Sequence, residues 1–189
     1  SMAIFLLGPI EAVKGFIDRS FVYIDEPAQL MWRYRDSAAL GSFDIAFTPN
    51  LYTKSKYFPA DERIDIVGTA GMLQLSCCTA RISDDPPLVL FRDGQRTVFD
   101  DLPTDWQTSF TAAIRDFPLA LAAGRSTLLD GQRATDILRF AYALIAAAKT
   151  GREIRPDELT DEWLRQTLLE PANEGESSGN PETATGPTA

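Results

Sequence analysis

The chain has 189 residues, 18 basic and 27 acidic side chains, and a formal net charge of −9 at pH 7. Its apolar fraction of 44% is enough to build a hydrophobic core, which excludes a wholly disordered chain. The negative charge argues against binding to nucleic acid or to an anionic membrane surface, because both polyanions would be repelled. The sequence contains no histidine, which excludes a Ser-His-Asp or Cys-His nucleophile and any His-ligated metal site.

Cysteine content and the start of the chain indicate a reduced, cytoplasmic protein. Cys77 and Cys78 are adjacent, so they make no disulfide framework and cannot form a zinc site on their own. No apolar run approaches the roughly 20 residues of a membrane span. The first residues lack the basic region of a signal peptide. A serine precedes Met2, as in the remnant of a cleaved tag, so residue 3 need not be the natural start.

Residues 10–100 alternate between apolar and polar side chains and therefore predict β-strands. Asp93-Gly94 is the strongest hairpin signal in this region, and Gly68 and Gly71 suit a second tight turn. The apolar members of the alternating runs are Leu30, Trp32 and Tyr34, then Phe43, Ile45 and Phe47, then Ile64 and Ile66, then Leu73 and Leu75, and finally Val89 and Phe91 before the Asp93-Gly94 turn, after which Thr97 and Phe99 return. Period two over so many segments predicts a largely antiparallel sheet with two unlike faces.

Residues 103–150 change to helical periodicity and predict two long helices. Thr104 and Gln107 fit a capping box at the start of the first, and Asp130 is placed to cap the second. A short third helix is predicted from Asp157 to about Leu168. The stripes expected to face inward are Trp106, Phe110, Ala113, Phe117 and Leu121 on the first helix, Ile137, Ala141, Leu144 and Ala148 on the second, and Leu159 and Trp163 on the third.

Strands followed by helices indicate an α+β fold, in which an open, mostly antiparallel β-sheet has helices packed on one face. We expect this domain to span residues 3–169. Residues 170–189 are expected to be a disordered tail, since the stretch from Pro171 has no Leu, Ile, Val or Phe. Polar residues mark the opposite face of the sheet, which is either solvated or closed by another domain or subunit. They are Arg33, Arg35, Asp44, Arg63, Asp65 and Gln74.

The segment from Pro49 to Arg63 holds the candidate substrate residues. It is longer than most connections between strands and concentrates two of the four lysines of the chain beside two tyrosines. Such a set can hold a carboxylate, a phosphate or a polyhydroxylated substrate, whereas the alternative is a solvated loop whose tyrosines cover the edge of the core. The candidate residues are Tyr52, Lys54, Lys56 and Tyr57. No metal-ligand spacing is present, and Gly68-Thr69-Ala70-Gly71 is expected to be a hairpin turn rather than a phosphate loop.

The order of several segments resembles the C-terminal domain of the Gfo/Idh/MocA family of NAD(P)-dependent sugar oxidoreductases. The similar segments are FLLGPIEAV at 5–13, IDIVGTAGMLQL at 64–75, LVLFRDG at 88–94, DWQTSFTAAIRDF at 105–117 and GQRATDILRFAYALIAAAKTGREI at 131–154. The resemblance covers roughly residues 3–155. It implies an α+β domain of the glyceraldehyde-phosphate-dehydrogenase-like type, following an N-terminal Rossmann domain.

The resemblance also implies where the chemistry of the whole protein lies. The cofactor fingerprint and the catalytic lysine of the family belong to the N-terminal domain, and its Asp and His precede the segment matched at 5–13. No catalytic residue is therefore placed on this chain. NAD(P) is expected in the full-length protein and not on this chain alone. The implied substrate is a sugar, an inositol or a related polyol, and the open sheet face is expected to form a homodimer or a higher homo-oligomer.

Two other interpretations remain open. The first is a stand-alone module that dimerises and binds a small ligand without catalysis, and an open reading frame beginning at Met2 would favour it. The second is a complete small enzyme that uses the carboxylates and lysines of the chain. This second interpretation requires a lysine whose pKa is lowered by burial, which nothing in the sequence indicates.

Overall fold

The computed structural model describes residues 2–20, 27–46, 61–76 and 84–166. Its elements in chain order are α1 (Met2–Leu7), β1 (Ile10–Ile17), β2 (Ala28–Tyr34), β3 (Leu40–Ile45), β4 (Arg63–Gly68), β5 (Gly71–Ser76), β6 (Leu88–Arg92), β7 (Gln95–Phe99), α2 (Trp106–Ala122), α3 (Gly131–Thr150), a 3-10 turn (Pro156–Glu158) and α4 (Asp161–Leu164). The chain divides into two compact units, which we call the first unit (1–47 with 135–189) and the second unit (48–134).

The predicted α+β fold with antiparallel strands is confirmed. Each described strand pair is antiparallel, and the strands form a three-stranded sheet in the order β1-β2-β3 and a four-stranded sheet in the order β4-β5-β6-β7. Consecutive strands are neighbours in both sheets, as is usual for antiparallel strands that follow one another in the sequence. The three-stranded sheet belongs to the first unit and the four-stranded sheet to the second.

Strand β2 organises the core of the first unit. Leu30 and Tyr34 are buried, whereas Met31 and Arg33 between them are exposed, as the period of two predicts. The core is completed by the helical residues that follow the second unit in sequence. Its members are Ile10, Val13, Ala28, Leu30, Tyr34, Phe140, Ala143, Leu144, Ala146, Ala147, Ile154 and Leu159.

Helix α3 is buried along a different stripe from the predicted one. Phe140, Ala143, Leu144 and Ala147 are buried, whereas Ala141 of the predicted stripe is exposed, and Ile137 and Ala148 are half-buried. The reason is packing, because the ring of Phe140 meets Trp32 edge to face with the centroids 5.4 Å apart. Alanines lie on several sides of α3, so the sequence pattern alone does not identify which stripe is buried. Asp130 caps this helix as predicted, since its Oδ1 accepts a hydrogen bond from the Arg133 N–H at 2.8 Å.

The C-terminal part of the first unit adds a short antiparallel bridge to β1. The N–H of Val13 donates to the Ile154 carbonyl at 2.8 Å, and the N–H of Ile154 donates to the Val13 carbonyl at 3.0 Å. Beyond this bridge the predicted third helix is a 3-10 turn followed by α4, which begins after Thr160 and not at Asp157. Leu159 is buried and Trp163 is half-buried, so both face the interior as predicted.

The second unit is a four-stranded meander. Asp93 and Gly94 turn between β6 and β7 with φ of 53° and 73°, which are the two positive values that a type I′ hairpin requires. Ile64 and Ile66 are half-buried, whereas Arg63 and Asp65 are exposed, so the predicted alternation is confirmed. Glycine is needed at position 71, because a Cβ there would overlap the Phe91 carbonyl oxygen of the neighbouring strand.

Helix α2 departs from the sequence prediction at its cap and along its apolar stripe. The capping residue is Asp105, whose Oδ1 accepts a hydrogen bond from the Thr108 N–H at 2.7 Å, and not Thr104. Asp105 can take the capping position in place of Thr104, because either side chain can accept a hydrogen bond from a free N–H of the first turn. The stripe predicted to face inward is exposed along its whole length, and Ala120 is the buried residue of α2.

Candidate functional site

The predicted substrate residues lie outside the described residues. Tyr52, Lys54, Lys56 and Tyr57 fall in the sequence between the end of β3 and the start of β4. Their grouping therefore stays a prediction. The structure does describe the exposed face of the three-stranded sheet, opposite the core, which we call the outer face.

The outer face is a grid set by the strand register. Lys14 pairs with Met31 and Met31 with Ser42, in the middle row of the three strands. The row on one side contains Arg33 and Leu40, and the row on the other side contains Phe16, Gln29 and Asp44. Three large apolar side chains on this face are strongly exposed, namely Phe16 at 75%, Met31 at 58% and Leu40 at 73%. Exposed apolar side chains among charged and amide groups are typical of a surface that binds a partner or a polar ligand.

A charged network borders the outer face at its β1 and β2 side. The guanidinium of Arg33 lies 2.7 Å from a Glu153 carboxylate oxygen and 3.9 Å from one of Glu11. Arg155 reaches the other oxygen of Glu11 at 3.4 Å, and Arg35 pairs with Asp157. These side chains are partly exposed, so each pair alone contributes little to stability. Together they hold the segment around the Ile154 bridge against β1 and β2.

Four described groups have a shifted pKa, and each shift follows from a local structural contact. The N–H of Ser20 lowers the pKa of Asp18, and the hydroxyl of Thr108 lowers that of Asp105. The Leu128 N–H, followed by the Arg125 guanidinium, lowers the pKa of Asp116. Asp61 raises the pKa of Arg63.

All four shifts favour the charged form of the group. A general acid or base would need a pKa moved towards neutrality. The four groups therefore serve turns, caps and ion pairs, and none of them is poised for proton transfer.

Two observations on the described residues concern the glycine-rich turn and the acidic side chains. Gly68-Thr69-Ala70-Gly71 is the turn between β4 and β5, as predicted, and opens no helix on which a pyrophosphate would sit. Across the described ranges, His, Cys, Asp and Glu side chains form no group of three that could hold a metal ion. Nor is any helix in that part of the chain long and apolar enough to cross a membrane.

No protein-family profile and no characterised protein sequence matches the chain. Solved structures do match. An oxidoreductase from Agrobacterium radiobacter in complex with NAD+, L-tartaric acid and magnesium is 21% identical, with a TM-score of 0.66 over 82% of this chain and 46% of the other. The aldose-aldose oxidoreductase of Caulobacter crescentus complexed with glycerol is 19% identical, with a TM-score of 0.61 over 81% and 43%. A levoglucosan dehydrogenase in complex with NADH and levoglucosan is 16% identical, with a TM-score of 0.63 over 84% and 48%.

These matches define the class of fold. The chain has the fold of part of the NAD-dependent oxidoreductases, and it spans less than half the length of the structures that it matches. The resemblance to the C-terminal domain of the Gfo/Idh/MocA type is confirmed at the level of the fold.

Proposed function

We propose that the chain is the C-terminal substrate-binding and dimerisation domain of a cytoplasmic NAD(P)-dependent dehydrogenase that acts on a sugar, an inositol or a related polyol. The observation that carries the proposal is the fold match, since structures with bound NAD+ or NADH each align with most of this chain over less than half of their own length. Two of the matched structures hold glycerol or levoglucosan, which are a polyol and a sugar derivative.

In this proposal the chain supplies binding surfaces and the remainder of the longer protein supplies the cofactor site. The absence of histidine throughout the sequence supports this division, because a proton-transferring imidazole must then come from elsewhere. The hairpin at 68–71 also supports it, since the one glycine-rich turn with a partial dinucleotide fingerprint lies between two strands. NAD(P) therefore binds the full-length protein and not this chain alone.

Tyr52, Lys54, Lys56 and Tyr57 are proposed to contact the substrate. Two ammonium groups and two phenol hydroxyls match the hydroxyl and carboxylate oxygens of sugars and sugar acids. None of the four is proposed as catalytic.

The outer face is proposed to join two copies of the chain in a homodimer or a higher homo-oligomer. Phe16 and Leu40 provide exposed apolar area at two opposite corners of that face and Met31 at its centre, and Lys14 and Asp44 provide charges of opposite sign. A homodimer interface needs such an apolar patch with a polar surround.

The alternative function is a stand-alone module that binds a small ligand and dimerises without catalysis. The core of the first unit favours it, because twelve buried residues of that unit pack together in one cluster. The same substrate and interface residues would then serve binding alone.

Titration with NADH separates these functions. The 189-residue chain is expected to leave the fluorescence of NADH unchanged, whereas the longer protein with its upstream segment is expected to bind NADH and to oxidise a polyol with NAD(P)+ as the hydride acceptor. Tight binding of NADH by the 189-residue chain would refute the proposal. A natural reading frame that begins at Met2 would instead favour the stand-alone module.

The substrate role is tested in the longer protein by the double variant Lys54→Ala/Lys56→Ala. We expect KM for a sugar-acid substrate to rise at least tenfold, because the variant loses roughly one charge-assisted hydrogen bond to the substrate. The binding of NADH is expected to stay unchanged. Lys149→Ala is the matched control, since it removes a lysine at the end of α3. An equal KM for all three proteins would show that the lysines of this segment do not contact substrate.

A further inference from the structure

We draw no further inference here: the strongest candidate, the apolar stripe of α2 formed by Trp106, Phe110, Ile114, Phe117 and Leu121, carries nothing because nothing in the structure shows what covers it.

Discussion

Replacing Phe140 by alanine tests the packing of the first unit. Phe140 is 6% exposed, belongs to the buried cluster between α3 and the three-stranded sheet, and meets Trp32 edge to face at 5.4 Å. Truncating a buried phenylalanine costs about 3–5 kcal/mol of unfolding free energy, because burial is lost and a cavity remains. The loss of the aromatic pair contributes about 0.5–1.5 kcal/mol within that total. We expect a decrease of about 4 kcal/mol.

The assay is unfolding in urea, followed by circular dichroism and tryptophan fluorescence. A loss of this size lowers the midpoint concentration and leaves the slope unchanged, since the surface exposed on unfolding stays nearly the same. Phe5→Ala on α1 is the matched control, because Phe5 is 69% exposed and its truncation should change stability by less than about 0.5 kcal/mol. A loss below about 1 kcal/mol for Phe140→Ala, or equal losses for both variants, would refute the packing that we describe.

Two further predictions concern a close contact and a titrating group. Gly41→Ala is expected to lower stability by about 1–3 kcal/mol and to change the near-ultraviolet circular dichroism, because the new Cβ would overlap the indole of Trp32; an unchanged spectrum would show that the indole is not seated on Gly41. The Asp116 carboxylate has a lowered pKa in the folded chain, so its contribution is present well above the unfolded pKa of about 3.9 and is lost as the pH falls through the folded pKa. Asp116→Asn should therefore be less stable than the unchanged chain at pH 7, and the two should converge below pH 4 in thermal unfolding; a constant difference down to pH 2 would contradict the role of the charge.

Much of the strand structure could be predicted because its signals are local. The alternation in β2 and the Asp93-Gly94 turn each follow from a few neighbouring residues whose preferred geometry survives in the fold. The buried stripe of α3 could not be chosen from the sequence, since alanines on several sides look alike and the contact of Phe140 with Trp32 decides between them. For α2 the periodicity was a reliable guide to the helix and to its apolar stripe. It carried no information about what covers that stripe, because burial depends on residues distant in the chain.

The candidate site shows the same division between local and distant information. Composition singled out Tyr52, Lys54, Lys56 and Tyr57, and these remain predictions. The outer face was anticipated from the polar members of the alternating strands, including Arg33 and Asp44. The charged network beside it was not anticipated, since Arg33 and Glu153 are 120 residues apart in sequence and no local pattern connects them.

The bridge between Val13 and Ile154 affects when the first unit can complete its folding during synthesis. The first unit is built from both ends of the described chain, whereas the second unit is one continuous stretch from 48 to 134. On a ribosome the hairpins of the second unit can pair while α3 is still being synthesised, because their contacts are local. The core of the first unit must wait for Phe140 and Ile154. The second unit is thus an insertion into the sequence of the first, and we expect changes of length within it to leave the core of the first unit intact.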